Sequence, residues 1–415
     1  MIWLIPRSEL TPDQIRAIEL PPSEHRAIMG GPGSGKTQVL LHRARFLADT
    51  YRVSPERFRI FVFTNVLKDY IRSALSLLGL PDESVLTFDL WCKLHYQQHI
   101  SSRVPWDSDR KQPDFAAIRR AIIGQFSGQN GRAPVFEFVL VDEAQDLDPE
   151  VFGLLTKIAR HVTVCIDNKQ QIYEAGSAEA EILERLGLRR RNVNLIDAFR
   201  VCPYLVEVAA QLIRDSAERE AFRQQKRTVQ TERQTPLVYF ANDFEDEKRM
   251  LVQVVRERQL MNDRVAILFP QNRQVFGFAQ GLTEAGIEVE VPKQHGGSAT
   301  LPAHDFTSNR PKLMSYHSAK GLTFDSVLMP RLLDSSFRRV SAERLERLVF
   351  VALTRATKWA YLSTNAAEPP SFLARLLSLE AGRQISVKRG SRGEGTEGTA
   401  TETEKKAASQ DLDFL

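Results

Sequence analysis

The chain has 415 residues, of which 42% are hydrophobic and 26% are charged. This is the composition of an ordinary soluble globular protein, with enough length for two α/β domains. No apolar run approaches a membrane span, and the start MIWLIPRSEL lacks the length and cleavage site of a signal peptide. Cys92, Cys165 and Cys202 are scattered, which indicates a reducing cytoplasm rather than a disulfide framework, and the net charge of +4 is weak evidence for a polyanionic partner. We therefore expect a cytoplasmic protein that makes no contact with a membrane.

The first half of the chain alternates between short apolar runs and segments with helical periodicity. The predicted strands are His25–Met29, Arg59–Phe63, Val85–Phe88, Phe136–Val141 and His161–Cys165. The predicted helices are Lys36–Asp49, Lys68–Leu80 and Glu150–Ala159. Alternation of this kind predicts a parallel sheet with helices on both faces.

A second alternating series follows the charged segment Asp215–Gln234. Its predicted strands are Leu237–Phe240, Val265–Phe269, Lys312–Tyr316 and Val327–Met329, and its predicted helices are Phe276–Ala285 and Glu343–Ala356. From about Arg389 onward the chain is rich in Gly, Thr, Glu, Lys and Ser, which is typical of disorder. We predict a first domain over residues 1–199, a second over 200–378 and a disordered tail over 379–415.

Residues 30–37 read GGPGSGKT and satisfy the G-x-x-x-x-G-K-[ST] pattern of a phosphate-binding loop. Glycines let backbone N–H groups approach phosphates, and the N-terminus of the following helix adds its dipole. We expect Lys36 to reach the β- and γ-phosphates and the Thr37 hydroxyl to bind Mg²⁺. The predicted nucleotide contacts in this stretch are Gly30, Gly31, Pro32, Gly33, Ser34, Gly35, Lys36, Thr37 and Gln38.

Two adjacent carboxylates, Asp142 and Glu143, follow the apolar run Phe136–Val141. If this run is a buried parallel strand, the acids lie at its C-terminal end, where open α/β sheets bind their ligands. We predict that Asp142 binds Mg²⁺ and that Glu143 is the general base that takes a proton from an attacking water. The alternative is an acidic cap for a helix that begins near Pro149, and the two interpretations are compatible.

Further motifs occur in a fixed order along the chain. They are LTPDQ at 10–14, FTN at 63–65, TF and LWC between 87 and 92, the segment 167–173, AFR at 198–200, HSAKGLTF at 317–324 and VALTRA at 351–356. Together with the loop and the acids, they give a chain that resembles the superfamily-one DNA helicases of the UvrD, PcrA and Rep group up to about Ser363. The resemblance implies two tandem RecA-like domains with ATP in the cleft between them.

The resemblance also implies roles around ATP, and ATP and Mg²⁺ are the expected cofactors. Gln170 would link the γ-phosphate to DNA, while Arg200 and Arg355 would reach the γ-phosphate. Cations from the far wall of a cleft are well placed to stabilise charge that develops on the γ-phosphoryl group. The further nucleotide contacts are Gln14, which would read the adenine edge, Phe199, which would stack on adenine, and Gly321.

Single-stranded nucleic acid is held by backbone contacts and by aromatic stacking. The candidate DNA contacts in the matching motifs are Phe63, Asn65, Phe88, Trp91 and His317. Packing in the protein core is an equally good interpretation for the aromatic residues Phe63, Phe88 and Trp91.

The chain departs from the family pattern in sequence and in size. Residues 174–178 read EAGSA where the family has an aromatic residue that stacks on a base, Thr323 replaces a Glu that contacts the ribose, and Ile166 replaces a Gly. The intervals Trp91–Phe136 and Pro270–Leu313 are only tens of residues long, so we expect a helix or two in each rather than an accessory domain.

These observations predict an ATP-dependent helicase or translocase that acts on single-stranded or partly duplex DNA. The resemblance implies a 3′→5′ polarity and a role in DNA repair, recombination or defence. A protein partner, such as a nuclease, a clamp or a repair factor, would supply unwinding or recruitment. The alternative is a switch subunit that binds DNA or a partner and hydrolyses ATP without processive unwinding.

Overall fold

The computed structural model describes residues 3–109, 111–127, 133–167, 177–190, 193–195, 201–224, 233–293, 301–333, 337, 341–367 and 369–390. These residues form two six-stranded sheets, in which all neighbouring strands are parallel, and a two-stranded antiparallel hairpin. The predicted class, two tandem RecA-like α/β domains, is confirmed.

The first sheet and the hairpin lie in the first half of the chain. The strands there are β1 (Arg26–Gly30), β2 (Phe58–Val62), β3 (Val85–Thr87), β4 (Trp106–Asp107), β5 (Gln112–Pro113), β6 (Phe136–Val141), β7 (Ala159–Ile166) and β8 (Val193–Leu195). The helices are α1 (Pro12–Glu19), α2 (Lys36–Thr50), α3 (Asn65–Leu75), α4 (Phe88–His99), α5 (Phe115–Ser127), α6 (Pro149–Ile158) and α7 (Glu179–Arg185). Short 3₁₀ turns occupy Arg7–Glu9, Pro55–Arg57, Ser76–Leu78, Asp82–Ser84 and Ala144–Asp146.

The second sheet lies in the second half. Its strands are β9 (Leu237–Phe240), β10 (Val265–Phe269), β11 (Lys312–Ser315), β12 (Phe324–Met329), β13 (Ala356–Thr364) and β14 (Ser386–Arg389). The helices of this half are α8 (Pro203–Ala210), α9 (Ser216–Arg223), α10 (Phe244–Leu260), α11 (Asn272–Glu284), α12 (Ala342–Leu353) and α13 (Ser371–Leu377). The domain boundary predicted near residue 200 falls between the two sheets.

Strand order brings distant parts of the first domain together. The order is β3-β2-β6-β7-β1-β8, so β7 separates the strand that precedes the phosphate-binding loop from the strand that precedes the two acids. Because the strands are parallel, their carboxyl ends meet at one edge of the sheet. Thr64 and Thr87 cap α3 and α4 through their hydroxyl groups, so these helices also begin at the same edge.

Several elements differ from the prediction. Helix α10 has 17 residues and was not predicted, because its narrow apolar stripe (Leu251, Val254 and Val255) is surrounded by charged residues. Strand β13 was also not predicted, since its first residue was assigned to the preceding helix. The predicted helix Lys68–Leu80 instead begins at Asn65, three residues earlier.

The second domain does not end at residue 378. Residues 386–389 form β14, which pairs in parallel with β9. Ile385 is buried and Val387 packs against the same core, so these apolar side chains add an edge strand to the sheet. The tail predicted over 379–415 therefore starts too early, and residues from 391 onward lie outside the described part of the chain.

The two short intervals contain small elements, as predicted. The described residues of Trp91–Phe136 form most of α4, the β4–β5 hairpin and α5, and those of Pro270–Leu313 form α11 and two isolated bridges. No helix in the described residues is both long and apolar enough to span a membrane.

Candidate nucleotide site and domain cleft

The phosphate-binding loop joins β1 to α2 in a backbone conformation that glycine allows. Gly33 and Gly35 have φ values of 75° and 80°, which other residues rarely adopt. A Cβ on Gly35 would lie 2.5 Å from Nε2 of Gln14, so a side chain there would displace the Gln14 amide. The buried hydroxyl of Ser34 has no hydrogen-bond partner among the described residues. An uncommitted hydroxyl in such a loop is a donor that an anionic ligand could use.

Lys36 begins α2 and is buried beside this loop. Its Nζ donates to the carbonyl oxygens of Gly30 (2.9 Å) and Gly31 (3.2 Å). It also donates to Oδ2 of Asp167 (2.9 Å) at the end of β7. Burial alone would lower the pKa of Lys36, but the charges of Asp167 and Glu143 outweigh burial, so the pKa is raised. Lys36 is therefore a cation held where the loop would bind phosphates.

Thr37 and Asp142, the predicted Mg²⁺ ligands, are in direct contact. The Thr37 hydroxyl donates to Oδ2 of Asp142 at 2.7 Å. Burial and the neighbouring Glu143 carboxylate raise the pKa of Asp142 to about 6. A hydroxyl and a carboxylate held together are oxygen ligands of the kind that Mg²⁺ takes. These residues therefore fit the metal, which would neutralise phosphate charge when bound.

Glu143 is positioned by the residue two places after it. Gln145 donates from Nε2 to Oε2 of Glu143 (2.6 Å), and its Oε1 accepts from the backbone N–H of Asp167 (3.0 Å). Glu143 has a φ of 51°, a strained value for a residue other than glycine. Burial would raise the pKa of Glu143, but Lys320 and Lys36 reverse this effect and the pKa is lowered. The carboxylate is thus ionised, as a general base must be.

The second domain contributes a lysine to the same cluster. Lys320, between β11 and β12, is buried, and its Nζ lies 2.7 Å from Asp146 and 3.9 Å from Oε2 of Glu143. Burial raises the pKa of Asp146 to about 7, because Lys320 offsets only part of the effects of burial and of the Glu143 charge. The carboxylates of the first domain are therefore partly balanced from across the cleft.

Arg355 lies where α12 meets β13 and is 5% exposed. Its guanidinium group donates to the carbonyl oxygens of Val351 (3.0 Å) and Leu322 (3.4 Å) and to the hydroxyl of Thr354 (3.2 Å). It forms no salt bridge with any residue that the structure describes, and burial lowers its pKa. A buried guanidinium with such partners favours an anion nearby. This position suits the predicted contact with the γ-phosphate, which remains a prediction.

Two predicted nucleotide contacts use their side-chain amides to hold the protein itself. Gln14 donates from Nε2 to the carbonyl oxygen of Ser34 in the phosphate-binding loop (2.9 Å). Gln38 donates from Nε2 to the carbonyl oxygen of Trp3 (3.1 Å) and accepts at Oε1 from the N–H of Ile5 (3.0 Å). Gln14 thus supports the loop and Gln38 anchors the N-terminal segment beside it. Recognition of the base by either residue stays a prediction.

Gly321, another predicted nucleotide contact, lies against the first domain. Its φ is 81°, and a Cβ there would lie 3.0 Å from both methyl groups of Leu67 in α3. The positive φ favours glycine, and a Cβ would press on Leu67, so the structure gives this residue a role in the contact between the domains.

A cavity of about 1130 Å³ lies between the domains beside the phosphate-binding loop. Cavities of this size hold nucleotide-sized ligands. The first domain lines it with residues that include Gly33, Gly35, Gln38 and His42, and the second domain lines it with residues that include Arg264, Thr323, Thr354 and Arg355. The cleft therefore joins the loop to the arginine of the far domain.

Two of the predicted DNA contacts are core residues. Phe88 and Trp91 are 3% and 7% exposed, and their ring centroids lie 5.3 Å and 5.8 Å from that of Phe61. Trp91 also packs on Phe136. A ring enclosed in this way cannot stack on a base in this conformation, so the core interpretation holds for both residues.

The remaining candidate DNA contacts are accessible. Asn65 is exposed at the start of α3, and Phe63 and His317 are half-buried. Burial lowers the pKa of His317. Gln170, Phe199 and Arg200 lie outside the described residues, so their roles stay predictions.

Three residues to which the sequence analysis assigned no role complete the site: Gln145, Asp167 and Lys320. Gln145 bridges the base to the end of β7, Asp167 binds Lys36, and Lys320 arrives from the second domain. In the sequence, each of the three lies within a motif, close to residues to which a role was assigned.

Comparison with known protein families agrees with this geometry. The AAA domain family matches residues 14–176, which contain the loop and both acids. The UvrD-like helicase C-terminal domain family matches residues 300–367, which contain Lys320 and Arg355.

A "Probable DNA helicase" of Mycoplasma pneumoniae is 24% identical over 269 residues, which are 59% of this chain and 47% of that protein. The chain therefore spans about half the length of this relative. The crystal structure of the C-terminal domain of a "possible DNA helicase" from Lactobacillus plantarum is 15% identical, covers 46% of this chain and 98% of that chain, and gives a TM-score of 0.34, too low to carry weight. With both domain families matched in order on two RecA-like domains, the chain belongs to the UvrD-like superfamily-one helicases.

Proposed function

We propose that this chain is an ATP- and Mg²⁺-dependent DNA helicase or translocase whose ATP hydrolysis is stimulated by single-stranded DNA. One observation carries the proposal: a buried cluster in the first domain is completed by a cation from the second. Lys320 reaches Asp146 and Glu143 across the cleft. Hydrolysis at this cluster would therefore be coupled to the contact between the domains.

The residues of the cluster suit phosphoanhydride hydrolysis. Glu143, ionised and held by Gln145, would take a proton from the attacking water. Lys36 and Arg355 would stabilise the charge that develops on the γ-phosphoryl group from opposite walls of the cleft. Thr37 and Asp142 would hold Mg²⁺, in line with their contact at 2.7 Å.

Coupling to DNA follows from the placement of the accessible contacts. Asn65 belongs to the first domain and His317 to the second, so a strand bound to both would span the domain boundary. Loss of the γ-phosphate changes the charge in the cleft and would let the domains part, which is a motor stroke. The 3′→5′ polarity and a role in repair, recombination or defence are carried over from the resemblance.

The decisive experiment is steady-state ATP hydrolysis with and without single-stranded DNA over a salt series. We expect strong stimulation that fades as salt rises, because phosphate contacts release counterions. Glu143→Gln is the control variant, and its kcat should fall by about 10²–10⁴-fold while nucleotide binding is retained. Turnover that does not respond to DNA at any salt concentration would contradict the proposal. Strand displacement on duplexes with 3′ or 5′ tails then tests the polarity.

A switch subunit is the second candidate function. The burial of Phe88 and Trp91 favours it, because two fewer rings can stack on bases. The dependence of kcat on DNA length separates the two functions. A translocase hydrolyses more ATP per binding event on longer strands, whereas a switch reaches the same rate on any strand that fills its site.

A further inference from the structure

The domains also touch away from the charged cluster, along helix α3. Leu67 meets Gly321 of the second domain. Tyr70, one turn further along α3, is 2% exposed, and its hydroxyl lies beside Arg264 and Thr323 of the second domain. This side of α3 therefore forms a buried contact with the second domain.

Aromatic rings run through this contact. Trp3 stacks on Tyr70, with ring centroids 4.1 Å apart and planes 18° apart. Phe306 of the second domain meets Tyr70 edge to face, at 5.1 Å and 85°. Next to Phe306, His304 donates from Nε2 to the carbonyl oxygen of Leu313 in β11 (2.9 Å), which ties this loop to the second sheet. We name Trp3, Tyr70 and Phe306 the aromatic column.

The N-terminal end of the column is tied to the nucleotide site. Gln38 binds both the carbonyl oxygen of Trp3 and the N–H of Ile5. His42 donates from Nε2 to the carbonyl oxygen of Ile5 (2.8 Å). Gln38 directly follows Thr37, and both Gln38 and His42 belong to α2. The column is thus anchored to the helix that begins at the phosphate-binding loop.

We propose that the aromatic column sets the angle between the domains and thereby positions Arg355 at the nucleotide site. Stacked and edge-to-face rings have preferred geometries, so a column of three rings resists sliding of one domain on the other. A buried ion pair contributes little net stability, so the Lys320–Asp146 pair alone does not account for closure. Tyr70 and Phe306 are positioning residues, and their kinetic effect rests on the proposed function.

The kinetic test replaces Phe306, the ring that the second domain contributes. In Phe306→Ala we expect kcat for ATP to fall about 10-fold or more while KM changes less than about 2-fold, because Arg355 acts on the transition state. Phe278→Ala is the matched control, since Phe278 is half-buried in the same domain and meets Phe244 edge to face at 5.9 Å and 85°. Phe306→Tyr keeps the ring and should restore kcat.

A second measurement does not depend on ATP hydrolysis. Spin labels at Arg16→Cys and Arg249→Cys, whose native side chains are 64% and 77% exposed, report the distance between the domains by pulsed electron paramagnetic resonance. The native cysteines are buried. We expect one narrow distance distribution in the wild type and in Phe278→Ala, and a shifted or broader one in Phe306→Ala.

The outcomes separate the column from the proposed function. Identical distance distributions in Phe306→Ala and Phe278→Ala would overturn the proposal that the aromatic column sets the angle between the domains. A changed distribution with normal kcat would overturn the proposal that the column positions Arg355. A changed distribution, with no ATP hydrolysis even in the wild type, would support the column as the device that sets the domain angle and overturn the proposed function instead.

Discussion

Replacing Lys320, the lysine that the second domain contributes to the cluster, by Met should impair ATP hydrolysis. Met keeps a similar side-chain length but removes the cation that, more than any other, counters the effect of burial on the pKa of Glu143. The pKa of Glu143 should therefore rise, and less of the general base is ionised on the acidic side of neutrality. We expect the acidic limb of the kcat–pH profile to move up by about two pH units, and kcat on that limb to fall by up to about 10²-fold, because protonated Glu143 cannot act as a base.

The distances set the size of this effect. Two unit charges about 4 Å apart interact by about 4 kcal/mol at an effective dielectric constant of about 20. Nζ of Lys320 lies 3.9 Å from Oε2 of Glu143 and 2.7 Å from Asp146. Because Lys320 also pairs with Asp146, its net effect on the pKa of Glu143 is smaller than the interaction energy of the isolated Lys320–Glu143 pair. A net change of about 2.7 kcal/mol in the interaction of Lys320 with the Glu143 carboxylate corresponds to about two pKa units.

The assay is the pH profile of kcat at saturating ATP and DNA. The acidic limb should move to higher pH in Lys320→Met, because Glu143 must lose its proton to act as a base. Lys358→Met is the matched control, since Lys358 lines the same cleft but pairs with Asp263 (3.3 Å) and Asp325 (3.2 Å). Acidic limbs that coincide in the wild type and in Lys320→Met would refute the reasoning.

Three further predictions follow from the same geometry. Arg355→Ala should lower kcat by about 10³-fold with ATP binding, measured with a fluorescent ATP analogue, retained. An unchanged kcat would show that Arg355 takes no part in the hydrolysis step. Mg²⁺ affinity should fall as pH drops below about 6, because Asp142, with a pKa of about 6, must lose its proton to bind the cation; Mg²⁺ titrations of ATP hydrolysis above and below that pKa check this. Gly35→Ala should lower the melting temperature and abolish nucleotide binding, because a left-handed φ costs Ala about 1–2 kcal/mol and its Cβ meets Gln14; Gly124→Ala, in a helix with open space around it, should be neutral or stabilising.

The predictability of the fold depended on how continuous the apolar runs are. Phe136–Val141, Leu237–Phe240 and Val265–Phe269 were predicted with correct bounds, because parallel strands covered on both faces are near-continuous apolar runs, interrupted here only by Glu137. Helix α10 and β14 bury only a few side chains among many charged ones. Their stability comes from tertiary packing, which no local pattern reports.

The same limit applies to the site. Thr37 and Asp142 are 105 residues apart, yet each directly follows a recognisable loop or strand, so their contact could be predicted from the topology. Lys320 and Asp146 are 174 residues apart in different domains, and their contact depends on how the domains close. Phe88 and Trp91 were ambiguous because an aromatic ring suits both a core and a base-stacking surface.

The two contacts between the domains differ in physical character, and this difference assigns them different roles. The Lys320–Asp146 pair is buried, so the loss of hydration offsets most of its attraction. The pair therefore determines how the two domains align more than it stabilises their contact. The aromatic column carries no charge and buries apolar surface, so it supplies closure. Lys320→Met should therefore leave the label distance of the nucleotide-free protein unchanged, whereas Phe306→Ala should shift or broaden it. A distance that widens in Lys320→Met would assign closure to the charged cluster instead.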